Sequence, residues 1–267
     1  GAAEPTGLVE QLVVDAAHFA DNPIVHILTL GPAPYVAPGL QDRFRHNAFF
    51  IGTNVREAVR EGRADYTPVF LSQIPGLIRS RRTPVDVALI QVSPPDRFGF
   101  VNLGVSVDVV LSAVQSARIV LAEVNPNMPV VYGSGFLPMS RIDAWVLRDE
   151  PLITVAPEPI DDVARRIGEN VATLVKDGST VQVGIGGIPD AVLAALSNHN
   201  DLGMWTEMFS DGLIPLLEGG VVTNEAVIVG GFVMGSVSLE VTKKVTASPR
   251  TRLVAPVETA SVGGVKS

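Results

Sequence analysis

Cysteine is absent from this 267-residue chain. That absence excludes disulfide bonds, a thiolate nucleophile and metal sites with cysteine ligands. Histidine is scarce too, and no two histidines form a His-x-x-x-His pair. The four are His18, His26, His46 and His199. We therefore expect no metal site.

Basic residues are also in short supply. The 20 Lys and Arg residues are outnumbered by 28 Asp and Glu residues, which gives a formal net charge of -8. Nucleic acids are bound through clustered cations, so this balance predicts no nucleic-acid partner. The one dense basic cluster is Arg79, Arg81 and Arg82. It fits a solvated helix end, although an anionic ligand could use it.

Long apolar runs are missing, because Gly, Pro or charged residues interrupt each one before it could span a bilayer. No signal-peptide pattern opens the sequence, so we expect a cytoplasmic location and no membrane partner. The 46% content of hydrophobic residues nevertheless suffices for a large buried core. A chain of this length fits one large domain or two smaller ones.

Short β-branched runs alternate with amphipathic stretches, a pattern that predicts an α/β fold with mostly parallel sheets. The predicted buried strands are 24–30, 85–92, 118–124, 144–147, 180–185 and 226–233. The predicted helices are 6–19, 54–61, 160–176 and 190–199. A further strand at 252–255 is possible. Between 150 and 159, three prolines precede a new helix and strand, which favours two domains at 1–155 and 156–267.

A glycine-rich segment, GIGGIPD from Gly184 to Asp190, joins a predicted strand to a predicted helix. Glycine permits close backbone approach, and the N–H groups that open a helix can bind an anion or an oxyanion. A tight turn of purely structural purpose explains the same pattern. The third glycine of a dinucleotide-binding motif is absent, and Pro189 fits the first helical position.

Two longer polar segments have the composition of ligand-binding loops. Residues 42–75 are too polar for a core, and they also fit a loop over a helix in which Arg56 and Arg63 pair with Glu57 and Asp65. Residues 93–108 are rich in Gly and Pro and follow a predicted parallel strand, where α/β proteins commonly bind ligands. A simple connector is the alternative for the second segment.

One glutamate, Glu207, lies in the apolar stretch WTEMFSDGLI from 205 to 214. It fits a helix start, where the helix dipole favours a carboxylate, with Asp211 one turn further on. It also fits a nucleophile or general base, because partial desolvation makes a carboxylate more reactive. The residues alone leave both interpretations open.

The order of five segments, taken together, closely resembles the acetyl-CoA hydrolase/transferase family, and within it the 4-hydroxybutyrate CoA-transferases. The segments are RHNAFFIGTNVREAVREGRADYTPVFLSQIP, PVDVALIQVSPPDRFGFVNLGVSVD, AEVNPNMP, GIGGIPDAVLAAL and WTEMFSDGLIPLLEGG. The resemblance extends from Gly1 to about Ser236. It implies two α/β domains with the active site in a cleft between them.

The resemblance also implies roles for individual residues. Glu207, in the string Thr206 to Gly212, would be the nucleophile that forms a glutamyl-CoA thioester. The turn would supply oxyanion and CoA contacts through Gly184, Gly186, Gly187 and Ile188. Candidates for the substrate cleft are Asn54, Arg56, Tyr66, Ser93 and Ser106. Coenzyme A is then a substrate, no cofactor or metal is required, and acyl-CoA, short-chain carboxylates and a second copy of the chain are the expected partners.

The chain departs from the family pattern at both ends. The family has another strand before the segment that corresponds to residues 1–5, and residues 237–267 do not follow its pattern. We therefore expect an incomplete second domain. Besides a CoA-transferase, the sequence fits an acyl-CoA hydrolase that uses the same glutamate, or a catalytically silent acyl-CoA-binding protein.

Overall fold

The computed structural model describes residues 3–223 and 230–233 of the chain, with helices and strands in alternation. The helices are α1 (Thr6–Val14), α2 (Arg56–Arg60), α3 (Ile74–Arg79), α4 (Val110–Ser116), α5 (Asp162–Ala172), α6 (Gly187–Ala195) and α7 (Ile214–Glu218). The strands are β1 (Asn22–His26), β2 (Phe44–Ala48), β3 (Ala64–Tyr66), β4 (Val87–Val92), β5 (Phe100–Asn102), β6 (Ile119–Val124), β7 (Phe136–Pro138), β8 (Ala144–Leu147), β9 (Thr180–Val181), β10 (Gly203–Met204), β11 (Thr206–Phe209) and β12 (Gly230–Val233). Within these residues, no helix is long and apolar enough to cross a membrane.

Parallel pairing dominates the sheets, which confirms the predicted α/β class. One sheet has the order β1-β2-β3 and a second has the order β4-β6-β8, both parallel throughout. The pairs β9 with β10 and β11 with β12 are parallel as well. The pair β5 with β7 is antiparallel. Parallel neighbours require crossover connections, and helices such as α4 between β4 and β6 supply them.

The second sheet packs its main core against α4. Val92 on β4, Val120 on β6 and Val114 on α4 are completely buried in this cluster. Complete burial of a valine side chain contributes roughly 1.5–3 kcal/mol, so this cluster is a major source of stability. Strands β4 and β6 read as near-continuous apolar runs, as is typical of parallel strands that are covered on both faces.

The amino end of α1 is held by a buried carboxylate from the second sheet. Pro5 precedes α1 and no side chain of the helix caps it. Instead, Glu123 Oε1 on β6 accepts a hydrogen bond from Leu8 N at 2.5 Å. Glu123 is only 2% exposed, and burial raises the pKa of its carboxyl group, while the nearby Arg148 opposes that shift. The contact fastens the first helix to the centre of the sheet.

Helices α5 and α6 approach each other at a glycine. A Cβ atom on Gly168 would lie 2.5 Å from the carbonyl oxygen of Ala191, so any larger residue would force the backbones apart. At its own start, α5 is capped by Asp161, whose side chain accepts a hydrogen bond from Ala164 N. This helix pair covers a second core that includes Leu193.

A polar cluster is buried beside the first sheet. The rings of His26 and His46 stack with their centroids 4.2 Å apart. Nε2 of His26 lies 2.6 Å from the hydroxyl of Tyr35, and Nδ1 of His46 lies 3.0 Å from the carbonyl oxygen of Ile24. Burial lowers the pKa of His26 to about 3 and also lowers that of His46. Both rings are therefore neutral at pH 7.

Most predicted elements exist with altered bounds. The strand predicted at 24–30 is β1, which lies at Asn22–His26, and the helix predicted at 6–19 ends at Val14 before a separate 3-10 turn. The strand predicted at 180–185 shortens to β9 at Thr180–Val181, and Gln182 and Val183 lead from it to the glycine turn. Of 226–233, only Gly230–Val233 is described as a strand, and the predicted strand at 252–255 lies outside the described residues.

Two interpretations of the first half were wrong. Residues 42–75 are not simply a loop over a helix, because β2 and β3 lie within them. The surface ion pairs also differ from those predicted, since Asp65 pairs with Arg45 and Arg63 pairs with Glu61. The side chain of Arg45 reaches Asp65 because β2 and β3 are neighbours, with Asp65 opposite Asn47, two residues along β2 from Arg45. Sequence distance conceals this relationship.

Strand β8 has the predicted bounds but not the predicted burial. All four of its residues are exposed, because β8 lies at the edge of the described β4-β6-β8 sheet. After β8, no helix or strand occurs until α5 begins at Asp162. The division into domains at 155 stays a prediction, as does the incompleteness of the second domain, whose residues 237–267 lie outside the described part.

Candidate active site

Strand β11 presents Glu207 to solvent. The strand pairs with β12 on one side, and Trp205 N, just before it, donates a hydrogen bond to Val181 O of β9. Side chains alternate along a strand, so the half-buried Thr206 and Met208 point to the face opposite Glu207, which is exposed. The helix-start interpretation of Glu207 was therefore wrong.

The carboxylate of Glu207 has an unfavourable electrostatic environment. Partial desolvation raises its pKa, and the negative charge of Asp108 raises it further. Among the described residues, no side chain or backbone group donates a hydrogen bond to Glu207, and no cation pairs with it. A carboxylate without such compensation is more basic and more nucleophilic than one in a salt bridge.

Asp108 is fixed on the segment that leads from β5 into α4. Its Oδ1 accepts a hydrogen bond from Val110 N at 2.8 Å, and its Oδ2 accepts one from Ser106 Oγ at 3.0 Å. The backbone of Asp108 has a φ of 20°, a value that non-glycine residues rarely adopt. The aspartate is thus held in one place by its neighbours.

The glycine-rich turn lies beside the strand of Glu207. Thr206 Oγ1 is 2.6 Å from Val183 O, so the residue before Glu207 is tied to the residue before Gly184. Gly186 has a φ of 109°, which requires glycine, and it caps α6. The prediction that Pro189 is the first residue of the helix was wrong, because Pro189 is the third residue of α6.

The turn carries donors and a neighbouring carboxylate. Gly187 and Ile188 are the first two residues of α6, where backbone N–H groups have no intrahelical partner. The side chain of Glu158 lies close to the turn, because a Cβ on Gly187 would be 3.4 Å from Glu158 Oε2. Gly184 opens the turn, and Ile188 is exposed. Free N–H groups at this place can stabilise an oxyanion.

Three cleft candidates lie beside the first sheet. Asn54 is half-buried, and its Nδ2 donates to Thr29 Oγ1 at 2.9 Å and to Gly31 O at 2.8 Å. Arg56 is the exposed first residue of α2, and Tyr66 ends β3 with 47% of its surface exposed. Asn54 thus braces a loop, whereas the other two offer their side chains to solvent.

The two serine candidates have different surroundings. Ser93 is buried, and its hydroxyl accepts a hydrogen bond from Asn102 N and donates one to Pro94 O. It therefore joins the end of β4 to β5. Ser106 is also buried, but its hydroxyl holds Asp108. Substrate contact by any of the five candidates stays a prediction.

Sequence reasoning missed Asp108. The residue ends the segment 93–108 that was considered for ligand binding, but no pattern predicted a role for this aspartate. A usable signal existed, since an aspartate two residues before a helix commonly accepts a backbone hydrogen bond there. Its relation to Glu207 had no signal, because 99 positions separate the two residues.

The basic cluster lies at the other end of the second sheet. Arg81 and Arg118 both pair with Asp86, which precedes β4. These residues flank the amino ends of β4 and β6, whereas Asp108 precedes α4, which returns from the carboxyl end of β4. Arg79 donates to Ser112 Oγ. The cluster is therefore a partly paired surface feature.

The described residues thus form an α/β protein of parallel sheets with an exposed glutamate beside a glycine-rich helix start. Comparison with known sequences identifies the group: the profile of the acetyl-CoA hydrolase/transferase N-terminal domain matches residues 1–157. The chain belongs to the acetyl-CoA hydrolase/transferase family.

Individual relatives agree with this assignment. A 4-hydroxybutyrate coenzyme A transferase of Clostridium kluyveri is 46% identical over 242 residues, which cover 88% of this chain and 56% of the relative. A succinyl-CoA:acetate/propanoyl-CoA:succinate CoA transferase of Fasciola hepatica is 42% identical, with 88% and 51% covered. The crystal structure of a 4-hydroxybutyrate CoA-transferase from Porphyromonas gingivalis superposes with a TM-score of 0.79 at 32% identity, covering 96% of this chain and 61% of that one. The chain spans about half the length of the curated relatives.

Proposed function

We propose that this chain carries the nucleophile of a CoA-transferase that moves coenzyme A between an acyl-CoA and a short-chain carboxylic acid. The observation that carries the proposal is the exposed, uncompensated carboxylate of Glu207 beside the glycine-rich turn. Curated relatives named as CoA-transferases support it. Acetyl-CoA and 4-hydroxybutyryl-CoA are the proposed types of donor.

The first half of the reaction forms a covalent intermediate. A carboxylate oxygen of Glu207 attacks the thioester carbonyl of the acyl-CoA, a C–O bond forms, and the C–S bond breaks to give an acyl-glutamyl anhydride and CoA thiolate. The thiolate then attacks the glutamyl carbonyl. A glutamyl-CoA thioester forms, and the original acyl group departs as a carboxylate that retains one glutamate oxygen.

The second half runs these steps in reverse with another carboxylate. Each step passes through a tetrahedral oxyanion, and the N–H groups of Gly187 and Ile188 at the start of α6 are its proposed donors. One such donor contributes about 3 kcal/mol to the transition state in well-studied cases. Gly184 and Gly186 have no side chains that could cover this backbone.

An acyl-CoA hydrolase is the second candidate, favoured by the exposure of Glu207. Water that reaches the glutamyl thioester would hydrolyse it and release coenzyme A without an acceptor. The two activities share the covalent intermediate and differ only in the group that resolves it.

Mass spectrometry after incubation with acetyl-CoA tests the nucleophile. We expect hydroxylamine or borohydride to modify the peptide that contains Glu207, and Glu207→Gln to abolish the modification. Glu169→Gln is the matched control, because Glu169 is also an exposed glutamate but lies on α5. Modification that persists in Glu207→Gln would overturn the proposal, and CoA binding without modification would indicate a silent binder. CoA release that requires added acetate would then select transfer over hydrolysis.

A further inference from the structure

We propose that a cavity between α6, α7 and the segment before α5 binds a small aliphatic primary amine in its ammonium form. The inference goes beyond the reaction proposed for Glu207, because Glu207 does not line this cavity. It rests on the size of the cavity, on its apolar lining and on two carboxylates that have no cationic partner among the described residues.

The cavity is large enough for a ligand of a few carbon atoms. Its volume is about 310 Å³, and its lining comes from 157–160, from α6 with the turn that follows, and from 212–216. This volume lies at the lower end of the range of small-molecule sites, roughly 300–1,000 Å³. A compact ligand therefore fits better than a cofactor-sized one.

Most of the lining is apolar. Leu193 and Leu216 are buried at the bottom of the cavity, whereas Ala194 and Ser197 are exposed at its rim. Ile160 adds a further aliphatic side chain. An aliphatic chain in this space would remove its own apolar surface and that of the lining from water, which favours binding.

The carboxylate of Asp190 belongs to the lining and lacks a donor. Its Oδ1 is buried and receives no hydrogen bond from any described residue. A Cβ on Gly212 would lie 3.0 Å from this oxygen and 3.2 Å from Leu193 Cδ1, so the absence of a side chain at Gly212 leaves room for the carboxylate. Buried polar atoms in native proteins are almost always hydrogen-bonded, and an exception points to a missing partner.

A second carboxylate, Glu158, is exposed at the rim. A Cβ on Gly187 would lie 3.4 Å from Glu158 Oε2, so the cavity adjoins the glycine-rich turn. Within residues 3–223 and 230–233, no ion pair includes Glu158 or Asp190, and no Lys or Arg lines the cavity. The cavity thus combines apolar walls with uncompensated negative charge.

An alkylammonium ion complements both properties. Its N–H groups donate charge-assisted hydrogen bonds to carboxylates, and its carbon chain contacts the apolar lining. An alcohol of the same length would make the same apolar contacts but offers only one neutral donor. The difference in affinity between the two therefore measures the contribution of the charge.

The test titrates the full, isotope-labelled chain with pentylammonium and, separately, with pentan-1-ol while amide chemical shifts are recorded. We expect saturable shifts at the amides of Gly212 and Ala194, and an affinity for pentylammonium at least roughly tenfold higher than that for the alcohol. Equal affinities, or shifts confined to other parts of the chain, would overturn the proposal.

Asp190→Asn keeps the size of the side chain and removes its charge. We expect pentylammonium to bind at least roughly tenfold more weakly, with binding of the alcohol unchanged within about twofold. Asp15→Asn, at an exposed aspartate after α1, is the matched control and should bind both probes as the wild type does. Wild-type affinity for pentylammonium in a folded Asp190→Asn protein would contradict the assignment.

Ala194→Phe tests the location of the site independently of Asp190. Ala194 is exposed at the rim, so a larger side chain can fill the cavity without disturbing the buried core. We expect both probes to lose binding while the urea unfolding midpoint stays at its wild-type value. Undiminished binding of pentylammonium would place the site elsewhere and refute the proposal.

Discussion

The hydroxyl of Thr206 lies 2.6 Å from the carbonyl oxygen of Val183, and this contact joins the strand of Glu207 to the glycine-rich turn. Each partner precedes a segment with a proposed chemical role. The bond therefore sets the distance between the nucleophile and the backbone donors, and its loss should affect activity more than a contact elsewhere in the fold would.

Thr206→Val tests that contact. The substitution preserves shape but leaves Val183 O without its side-chain donor, which should lower the free energy of unfolding by about 1–3 kcal/mol. We also expect slower thioester formation on Glu207, measured by the hydroxylamine assay. Thr206→Ser keeps the hydroxyl and serves as the control. Equal rates in the valine and serine variants would show that the contact has no part in arranging the site.

Gly168→Ala should destabilise the packing of α5 on α6. The added Cβ would lie 2.5 Å from Ala191 O, a backbone atom that cannot move without shifting the helix, so we expect a loss of about 1–3 kcal/mol in urea unfolding. Gly76→Ala on α3 is the control, because nothing lies within 4 Å of its added Cβ. Alanine should be neutral there or stabilise the helix by up to roughly 1 kcal/mol. Similar effects at both positions would argue against the close approach.

Acid should destabilise the chain through its buried histidines. The folded pKa of His26 is about 3, against an ordinary value of 6.5, so the unfolded chain binds the additional proton between these values. Stability is consequently lost as the pH falls below 6.5, by up to about 1.4 kcal/mol per pH unit for one proton.

Urea unfolding between pH 7.5 and 5 measures this effect. The buried carboxyls Glu4 and Glu123 have raised pKa values and act in the opposite direction, so the comparison with His26→Gln isolates the histidine. That variant should have a flatter pH dependence, whereas His18→Gln at an exposed position should match the wild type. A parallel profile for His26→Gln would refute the assignment.

Glu123→Ala should loosen α1. The substitution removes the acceptor of Leu8 N and a buried charge near Arg148, for which we expect a loss of about 3–5 kcal/mol. Hydrogen exchange should show reduced protection at the amide of Leu8. Glu10→Gln removes an exposed partner of Arg148 and should cost no more than about 1 kcal/mol. Unchanged protection at Leu8 in Glu123→Ala would show that α1 is held by other contacts.

Sequence pattern located the strands of the second sheet well. The runs that contain β4 and β6 are largely apolar, as expected for parallel strands covered on both faces, and this signal survives in sequence. Strand β2 was not predicted, because its sequence, FRHNA, is mostly polar. Its buried His46 is compensated by a hydrogen bond to Ile24 O and by the ring of His26, partners that sequence alone does not reveal.

The site was predictable in parts. Glu207 and the glycine turn were found through family resemblance, since each lies within a short continuous string. The strand conformation of Glu207 was not found, because β11 depends on pairing with β12. The relation between Asp108 and Glu207 arises only when the chain folds, and a single sequence holds no trace of it.

Trp205, two residues before Glu207, gives the site a built-in optical reporter. The chain has only two tryptophans, and both are exposed, Trp205 at 48% and Trp145 at 58%. Indole emission depends on contact with water, so arrival of an acyl-CoA beside Glu207 would register as a spectral shift. Replacement of Trp145 by phenylalanine on the edge strand leaves a single tryptophan, which can be excited selectively over the tyrosines, and ligand titrations then need no chemical label.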